Sequence, residues 1–140
     1  MLMTVASLIK LVNSLSSPEK RYFKLNSQLQ SGNKEYLVLF ELIDHNKGMD
    51  IPALKKAFRE KAPKVSWDNT CTYLGSVLLD SLVRSKKEKD VFFDLLHQIQ
   101  EVKVLTERSL DEEAFKQIKK LRQKAAQLQQ HWIEYLLLSL

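Results

Sequence analysis

The sequence predicts an all-α fold: a multi-helix bundle or right-handed array of helical hairpins, with about seven or eight antiparallel helices. Three observations predict this class. Apolar residues recur at the three- and four-residue spacing of a helix face, only three Gly and three Pro occur in 140 residues, and no segment shows the alternation of a strand. The hydrophobic fraction of 44% beside 28% charged residues is typical of a folded domain.

The first two helices are indicated by an apolar stripe followed by a helix-start signal. Residues 4–15 carry apolar side chains on one helix face. Ser17 is expected to cap the second helix, with Pro18 at its first position and Glu19 complementing the helix dipole. This helix should end at Gly32, which tolerates a left-handed turn. Its expected apolar residues are Tyr22, Phe23, Leu25 and Leu29.

Helices three to five are separated by residues that each have a physical reason to interrupt a helix. Asn33 is expected to cap the third helix, which ends before Gly48. Asp50 begins a short fourth helix, and Pro63 separates it from a fifth helix over Trp67–Arg84. The inward-facing residues of the third and fourth helices are expected to be Tyr36, Leu37, Phe40, Ile43, Leu54, Ala57 and Phe58.

The fifth helix is expected to be central, because apolar residues lie on two of its sides. One stripe is Trp67, Cys71, Leu74, Leu78 and Leu82; the second set is Tyr73, Val77 and Val83. Gly75 in the middle costs about 1 kcal/mol of helix stability relative to Ala. A close helix crossing at Gly75 would explain why a glycine is kept there.

The rest of the chain is expected to form a helix pair and a terminal helix. Ser85–Lys89 is a polar junction, and Asp111–Glu113 gives the seventh helix an acidic first turn. The terminal helix, His131–Leu140, is the most apolar segment and needs burial on more than one side. Whether it is separate from the seventh helix is left open. The expected apolar positions are Phe92, Leu95, Leu96, Ile99 and Val102, then Ala114, Ile118, Leu121, Ala125 and Leu128.

The length suits one all-helical domain over residues 1–140, enough to bury roughly 68–70% of the unfolded chain's surface. We expect an N-terminal bundle over residues 1–84, and a repeat-like pair with the terminal helix over 86–140. The apolar terminal helix must dock back onto earlier helices, pair with a second copy, or adjoin further helices of a longer protein. Self-association through this helix is therefore expected where it does not dock.

Two segments read together resemble a known family. Ser17–Leu25 (SPEKRYFKL) and Ser31–Leu37 (SGNKEYL) resemble the N-terminal region of uncharacterised bacterial helical proteins with tetratricopeptide-like repeats. The resemblance implies that Leu105–Ala126 is such a helix pair, with Ser109 in the turn and Ala114 at the small position. It makes the terminal helix the first of another repeat. It implies a scaffold or binding role and supplies no catalytic residues.

No residue constellation points to chemistry. His45, His97 and His131 fall on separate helices without a second ligand at helical spacing, so no metal site is expected. Cys71 is the only cysteine and lies on a buried stripe beside Asp68, an unfavourable setting for a thiolate. The glycines are isolated, so no phosphate-binding loop exists. We therefore expect no enzyme and no cofactor.

Cellular location is expected to be cytoplasmic. The lone cysteine excludes an intramolecular disulfide and fits a reducing compartment. The apolar segment Met1–Leu15 is interrupted by Lys10 and Asn13 and lacks a cleavage site, so an amphipathic helix is favoured over a signal peptide. No run approaches the ~20 apolar residues that span a bilayer, and no membrane association is expected.

The expected function is a helical scaffold or protein–protein interaction module that binds a protein partner or adjoining repeats. In a helix stack, a groove formed by successive first helices presents prepositioned side chains. The residues expected to line it are Gln98, Tyr135 and Ser139.

The alternative is a nucleic-acid-binding domain in which residues 50–84 form a helix-turn-helix. Asn69 would read a base edge from the second helix, although Asp68 beside it repels phosphate. A net charge of +5 with interleaved signs is more typical of a solvated surface, so nucleic acid is the less expected partner. The backbone contacts would come from Lys55, Lys56, Arg59, Lys61 and Lys64.

Overall fold

The computed structural model describes residues 3–32 and 34–128, and within them it has seven helices and no strand. The all-α class predicted from the sequence is therefore confirmed. The chain divides into two compact units, Met1–Ser85 and Lys86–Leu140. The expected Asn33 cap and the expected terminal helix lie outside the described residues. The helices are α1 (Val5–Ser14), α2 (Ser17–Leu29), α3 (Glu35–His45), α4 (Ile51–Lys61), α5 (Trp67–Lys87), α6 (Val91–Glu107) and α7 (Asp111–Gln127).

The start of α2 is fixed by a reciprocal capping box. The Glu19 amide donates to Ser16 Oγ at 3.3 Å, and the Ser16 amide donates to Glu19 Oε1 at 2.9 Å. The prediction that Ser17 caps this helix is wrong, because Ser16 is the cap and Ser17 and Pro18 occupy the first turn. A glutamate reaches back only to the residue three positions before it, which is Ser16.

The starts of α4 and α5 follow the predicted positions. The Ala53 amide donates to the Asp50 carboxylate at 2.9 Å, and the Asn69 amide donates to Ser66 Oγ at 3.3 Å. Gly48, in the turn before α4, has a φ of +87°, a conformation that side-chain-bearing residues rarely adopt. The sequence signals at these boundaries therefore act as expected.

The core of the first unit is built from all five of its helices. Aromatic rings bridge them: Phe23 lies 4.7 Å from Phe40 and Phe58 lies 5.7 Å from Trp67, measured between ring centroids. Helices α1, α3, α4 and α5 supply most of the remaining core. The most deeply buried apolar side chains are Leu8, Val12, Phe23, Leu39, Phe40, Ile43, Leu54, Phe58, Leu74 and Leu78.

The apolar face expected for α2 is wrong at two positions. Leu25 is 53% exposed and Leu29 is 85% exposed, whereas Phe23 and Ser27 are buried. Two residues along a helix turn through about 200°, so Leu25 points away from Phe23. Helix α2 therefore meets the core through a narrow stripe of one residue per turn.

Helix α5 buries one stripe and leaves its second apolar side half-exposed. Trp67, Leu74 and Leu78 are buried, but Tyr73 and Val83 are 52% and 53% exposed. The helix continues to Lys87, three residues beyond the expected end, because nothing in the polar junction interrupts helix geometry.

The expected close helix crossing at Gly75 is absent. The nearest atoms to a side chain added there belong to Met3, whose Sδ would lie 3.8 Å away, an ordinary van der Waals distance. Gly75 is therefore buried beneath a flexible side chain rather than pressed against another backbone.

The second unit contains the antiparallel hairpin of α6 and α7. Ser109 turns the chain with a φ of +59°, the Leu110 amide donates to the Leu105 carbonyl at 2.9 Å, and the Ser109 amide donates to the Thr106 carbonyl at 3.0 Å. This is a Schellman turn with serine where glycine is usual. Ala114, buried beyond the turn, lets the helices approach. Its tetratricopeptide-like character stays a prediction.

Candidate functional site

An apolar groove runs between α6 and α7 and is the main candidate for a binding surface. We call it the α6–α7 groove; its volume is about 290 Å³. Ile99 is 55% exposed, Ala125 is exposed, and the intervening aliphatic side chains are half-buried. Its lining residues are Ile99, Val102, Ile118, Leu121, Arg122 and Ala125.

The hairpin is held together by polar contacts on one side, which leaves the groove on the other. Lys124 Nζ lies 2.8 Å from Asp94 Oδ2, and the Gln117 amide donates to Glu101 Oε2 at 2.8 Å. These pairs are symmetrical about Ser109, as an antiparallel hairpin requires. The Lys124 ammonium holds the pKa of Asp94 below its ordinary value. The polar clasp fixes the register that keeps the apolar groove residues aligned.

Helix α7, which forms one wall of the groove, is basic beyond its first two turns. From Lys116 onward α7 has five cationic residues and no acidic one. Only Lys124 among them forms an ion pair within the described part of the chain. The other four are Lys116, Lys119, Lys120 and Arg122, and of these Arg122 is the one that lines the groove.

A second concave site, which we call the α2–α5 cavity, lies in the first unit and has a volume of about 180 Å³. The Asn26 side-chain amide nitrogen is buried there without a hydrogen-bond partner in the described structure. Such an orphaned donor costs about 1–3 kcal/mol. The lining residues are Phe23, Asn26, Ser27 and Gln30 of α2, and Tyr73, Ser76, Val77, Asp80, Ser81 and Arg84 of α5.

A charge cluster joins α2 to α3. Lys20 Nζ lies 2.6 Å from Asp44 Oδ1, Lys24 Nζ lies 2.7 Å from Glu41 Oε1, and His45 Nδ1 lies 3.0 Å from Glu41 Oε2. Glu41, Asp44 and His45 bring ligand atoms within 4.8 Å of one another, as a metal site would. The lysine ammoniums already neutralise both carboxylates, so this cluster works as an ion-pair clamp. Hydrogen bonding to Lys20 holds the pKa of Asp44 below its ordinary value.

The clamp is not predicted from the sequence, although the spacing of its residues is visible there. Glu41, Asp44 and His45 follow the three- and four-residue spacing of one helix face, and Lys20 and Lys24 do the same on α2. Only knowledge that α2 and α3 are neighbours brings the two sets together.

Neither Cys71 nor His97 is placed as a reactive group in the described structure. Cys71 is buried, and desolvation, followed by the charge of Asp68, raises the pKa of its thiol to about 11. His97 Nε2 lies 2.8 Å from Glu101 Oε1 on its own helix. His131 lies outside the described residues.

Of the three residues expected to bind a partner, Gln98 lies among the described residues. Gln98 is half-buried, and its amide donates to Asp94 Oδ2 on the same helix at 2.8 Å; its role in binding a partner stays a prediction. Tyr135 and Ser139 lie outside the described residues.

In the helix-turn-helix alternative, Asn69 stays exposed while two of its neighbours are buried. Trp67 and Thr70 are buried in the first unit, so neither side chain is available to a groove of nucleic acid. Asn69 is exposed beside Asp68. The five cations named for backbone contact, Lys55, Lys56, Arg59, Lys61 and Lys64, have no ion pair in the described structure, and all but the half-buried Lys55 are exposed.

Comparison with known proteins does not assign the chain to a family. No protein-family model, no curated protein and no solved structure matches the chain. None of the described helices combines the length and apolarity that crossing a membrane requires. The geometry of the sites must therefore carry the functional argument.

Proposed function

We propose that this chain is a non-enzymatic protein-interaction module whose α6–α7 groove binds an amphipathic helix of another protein. The observation that supports this most strongly is Ile99, which is 55% exposed at the edge of an aliphatic groove. Contiguous exposed apolar surface on a folded domain marks interaction sites. Helix-in-groove binding uses apolar anchors that repeat once per helical turn.

The groove defines the chemistry of its partner. From Ile118 to Ala125 it runs about 10 Å along α7, which matches two turns of a helix. Arg122, which forms no ion pair within the described residues, is part of its lining. A partner helix with a two-turn apolar stripe flanked by acidic side chains would match both features, because complementary charge steers association and fixes register.

The wider setting of this proposal follows from the sequence resemblance. We propose that the hairpin is one unit of a tetratricopeptide-like stack in a cytoplasmic bacterial scaffold, and that further helices or a second copy adjoin it through the terminal segment. Stacked helix pairs bury continuous cores and present extended concave binding surfaces. The Schellman turn at Ser109 and the buried Ala114 are compatible with this arrangement.

The test is site-specific photo-crosslinking in cells that express the protein. A photoreactive amino acid replaces Ile99 in the groove, and in a matched control it replaces the exposed neighbour Gln100, which lies a third of a turn away. We expect a discrete adduct at position 99 and none at position 100. Adding Ala125→Glu to the first variant should abolish the adduct, because it places a carboxylate in the groove against the apolar stripe of the partner helix.

Equal adduct formation at both positions, or an adduct that survives the added glutamate, would contradict the proposal. The nucleic-acid alternative remains distinct because it depends on the α4 region. It is supported by the unpaired cations there and by the exposure of Asn69, whereas the burial of Trp67 and Thr70 narrows the surface it could use.

A further inference from the structure

We propose that the outward face of α2 is the interface of a homodimer, in which α2 of one copy packs antiparallel against α2 of a second copy. This surface belongs to the first unit and is independent of the α6–α7 groove. We call it the α2 seam; it consists of Pro18, Tyr22, Leu25 and Leu29.

The α2 seam lies on the side of α2 that the first unit does not bury. Phe23 is buried on the opposite side of the helix, about 200° of rotation from Leu25. Leu25 is 53% exposed and Leu29 is 85% exposed, the largest fraction for any large apolar residue described. Pro18 is also exposed, and the half-buried Tyr22 lies beside it in a shallow apolar depression. Contiguous apolar surface of this kind marks an interaction site.

The spacing of the four seam residues is that of a helix–helix interface. They follow one another at intervals of four, three and four residues, so positions 18 and 25, and positions 22 and 29, are one heptad apart. Side chains at this spacing form a continuous stripe along one helix and interlock with a similar stripe on a neighbouring helix. No charged residue occupies a seam position. The occupant of this face is therefore a helix with a matching apolar stripe.

The α2 seam matches itself when the second helix runs in the opposite direction. Its intervals read the same from either end, so a two-fold axis between Tyr22 and Leu25 brings every seam residue against another. Leu25 then packs on Tyr22 of the second copy, and Leu29 packs on Pro18 of the second copy. A two-fold interface requires one surface to be complementary to itself. This symmetry of spacing identifies a second copy of the chain as the occupant.

The charges beside the seam favour the same arrangement. In the antiparallel pair Arg21 lies beside Gln28 of the second copy, so it meets a polar amide and not another cation. Lys20 and Lys24 are held away from the seam by carboxylates of α3. Antiparallel pairing also places the positive end of one helix dipole beside the negative end of the other, whereas parallel pairing brings like ends together.

The length of α2 limits the strength of the dimer. Its 13 residues span about 20 Å. One helix pair of that length buries less than the roughly 1,200–2,000 Å² of a stable interface, which places it among weak, reversible associations. We therefore expect a dissociation constant on the order of 100 μM.

The experiment is sedimentation equilibrium of the full chain over a concentration series. With that constant, the protein should be mainly monomer at roughly 5 μM and mainly dimer at roughly 500 μM. Leu25→Glu and Leu29→Glu should each weaken dimerisation by about tenfold or more, because the dimer buries each introduced carboxylate twice. The matched control is Val83→Glu on α5 of the same unit, where the side chain is also 53% exposed, and it should leave dimerisation unchanged. All three sites are exposed, and unchanged circular dichroism verifies folding of the variants.

Cysteine pairing tests the orientation of the two helices. A mixture of Pro18→Cys and Leu29→Cys proteins should form a disulfide-linked dimer under mild oxidation. Either variant alone should link far less, because identical positions in the antiparallel pair stand about 16 Å apart along the helix axis, beyond the reach of a disulfide. The native Cys71 does not compete, since it is buried and the pKa of its thiol is raised to about 11.

Monomer throughout the concentration series would overturn the proposal. So would dimerisation that survives Leu25→Glu, as association through the terminal segment would, or dimerisation that Leu25→Glu and Val83→Glu weaken equally. Linking of Leu29→Cys protein alone as efficiently as the mixture would overturn the antiparallel arrangement.

Discussion

The same substitution at two glycines of the first unit should change stability in opposite directions. Gly75 lies inside α5 with helical geometry, and an added methyl group would meet only Met3 atoms at 3.8–3.9 Å. Gly48 has a φ of +87° and open space around it. Alanine therefore meets no steric obstacle at either site, and only the backbone conformation differs between them.

The expected magnitudes follow from these conformations. Alanine is about 1 kcal/mol more favourable than glycine in a helix interior, so Gly75→Ala should raise the free energy of unfolding by roughly 0.5–1 kcal/mol. A side chain in the left-handed region costs about 1–2 kcal/mol, so Gly48→Ala should lower it by roughly that amount. For a unit of this size the melting temperature should rise by about 2–8 °C in the first variant and fall by about 4–16 °C in the second.

Thermal and urea denaturation followed by far-ultraviolet circular dichroism measure both variants against the wild type. Because the two glycines belong to the same compact unit, both changes should appear in the same transition. Destabilisation by Gly75→Ala would refute the packing described around α5, since it would require a close neighbour that the structure does not have. Neutrality of Gly48→Ala would refute the assigned left-handed turn.

Three further results are expected. Asp44→Asn should flatten the dependence of the free energy of unfolding on pH at acid pH. The pKa of the Asp44 carboxyl lies below its ordinary 3.8, so its pair with Lys20 stabilises the fold above that pH and is lost as the pH falls below it. An unchanged pH dependence below about pH 4 would contradict this. Cys71 should react slowly with a thiol reagent at pH 8 and rapidly in urea, because its thiol is buried with a pKa of about 11; fast labelling of folded protein would disprove its burial. The protein should not bind a generic DNA duplex with an affinity that falls steeply as salt rises. Binding of that kind, weakened in the double variant Lys56→Gln/Arg59→Gln, would support the nucleic-acid alternative.

The helical class and most helix boundaries could be predicted because they depend on local sequence. Asp50, Ser66 and Gly48 act within a few residues of their own positions, so their roles can be read without knowing the rest of the fold. The position of the α2 cap also depends on local sequence. The spacing of Ser16 and Glu19 is that of a capping box, whereas Ser17 has no glutamate three positions later.

The unpredicted features depend on which helix faces meet. Leu25 belongs to an apolar segment, but the core contacts only the Phe23 side of α2. The α2–α3 clamp and the α2–α5 cavity each combine residues from two helices, and helical spacing within one segment does not identify its neighbour. The predicted close helix crossing at Gly75 is wrong for the same reason. A glycine on a buried stripe does not show whether another backbone or a flexible side chain such as Met3 lies opposite.

The most direct test of the proposed function is a binding titration of the full chain with a designed helical peptide. The peptide has a two-turn leucine stripe flanked by glutamates, and a matched peptide has lysine flanks. Fluorescence anisotropy should show tighter binding of the acidic peptide, a loss of that binding with Ala125→Glu, and no change with Gln100→Glu. Equal affinity for the two peptides, or equal effects of the two protein variants, would contradict a basic, apolar docking groove between α6 and α7.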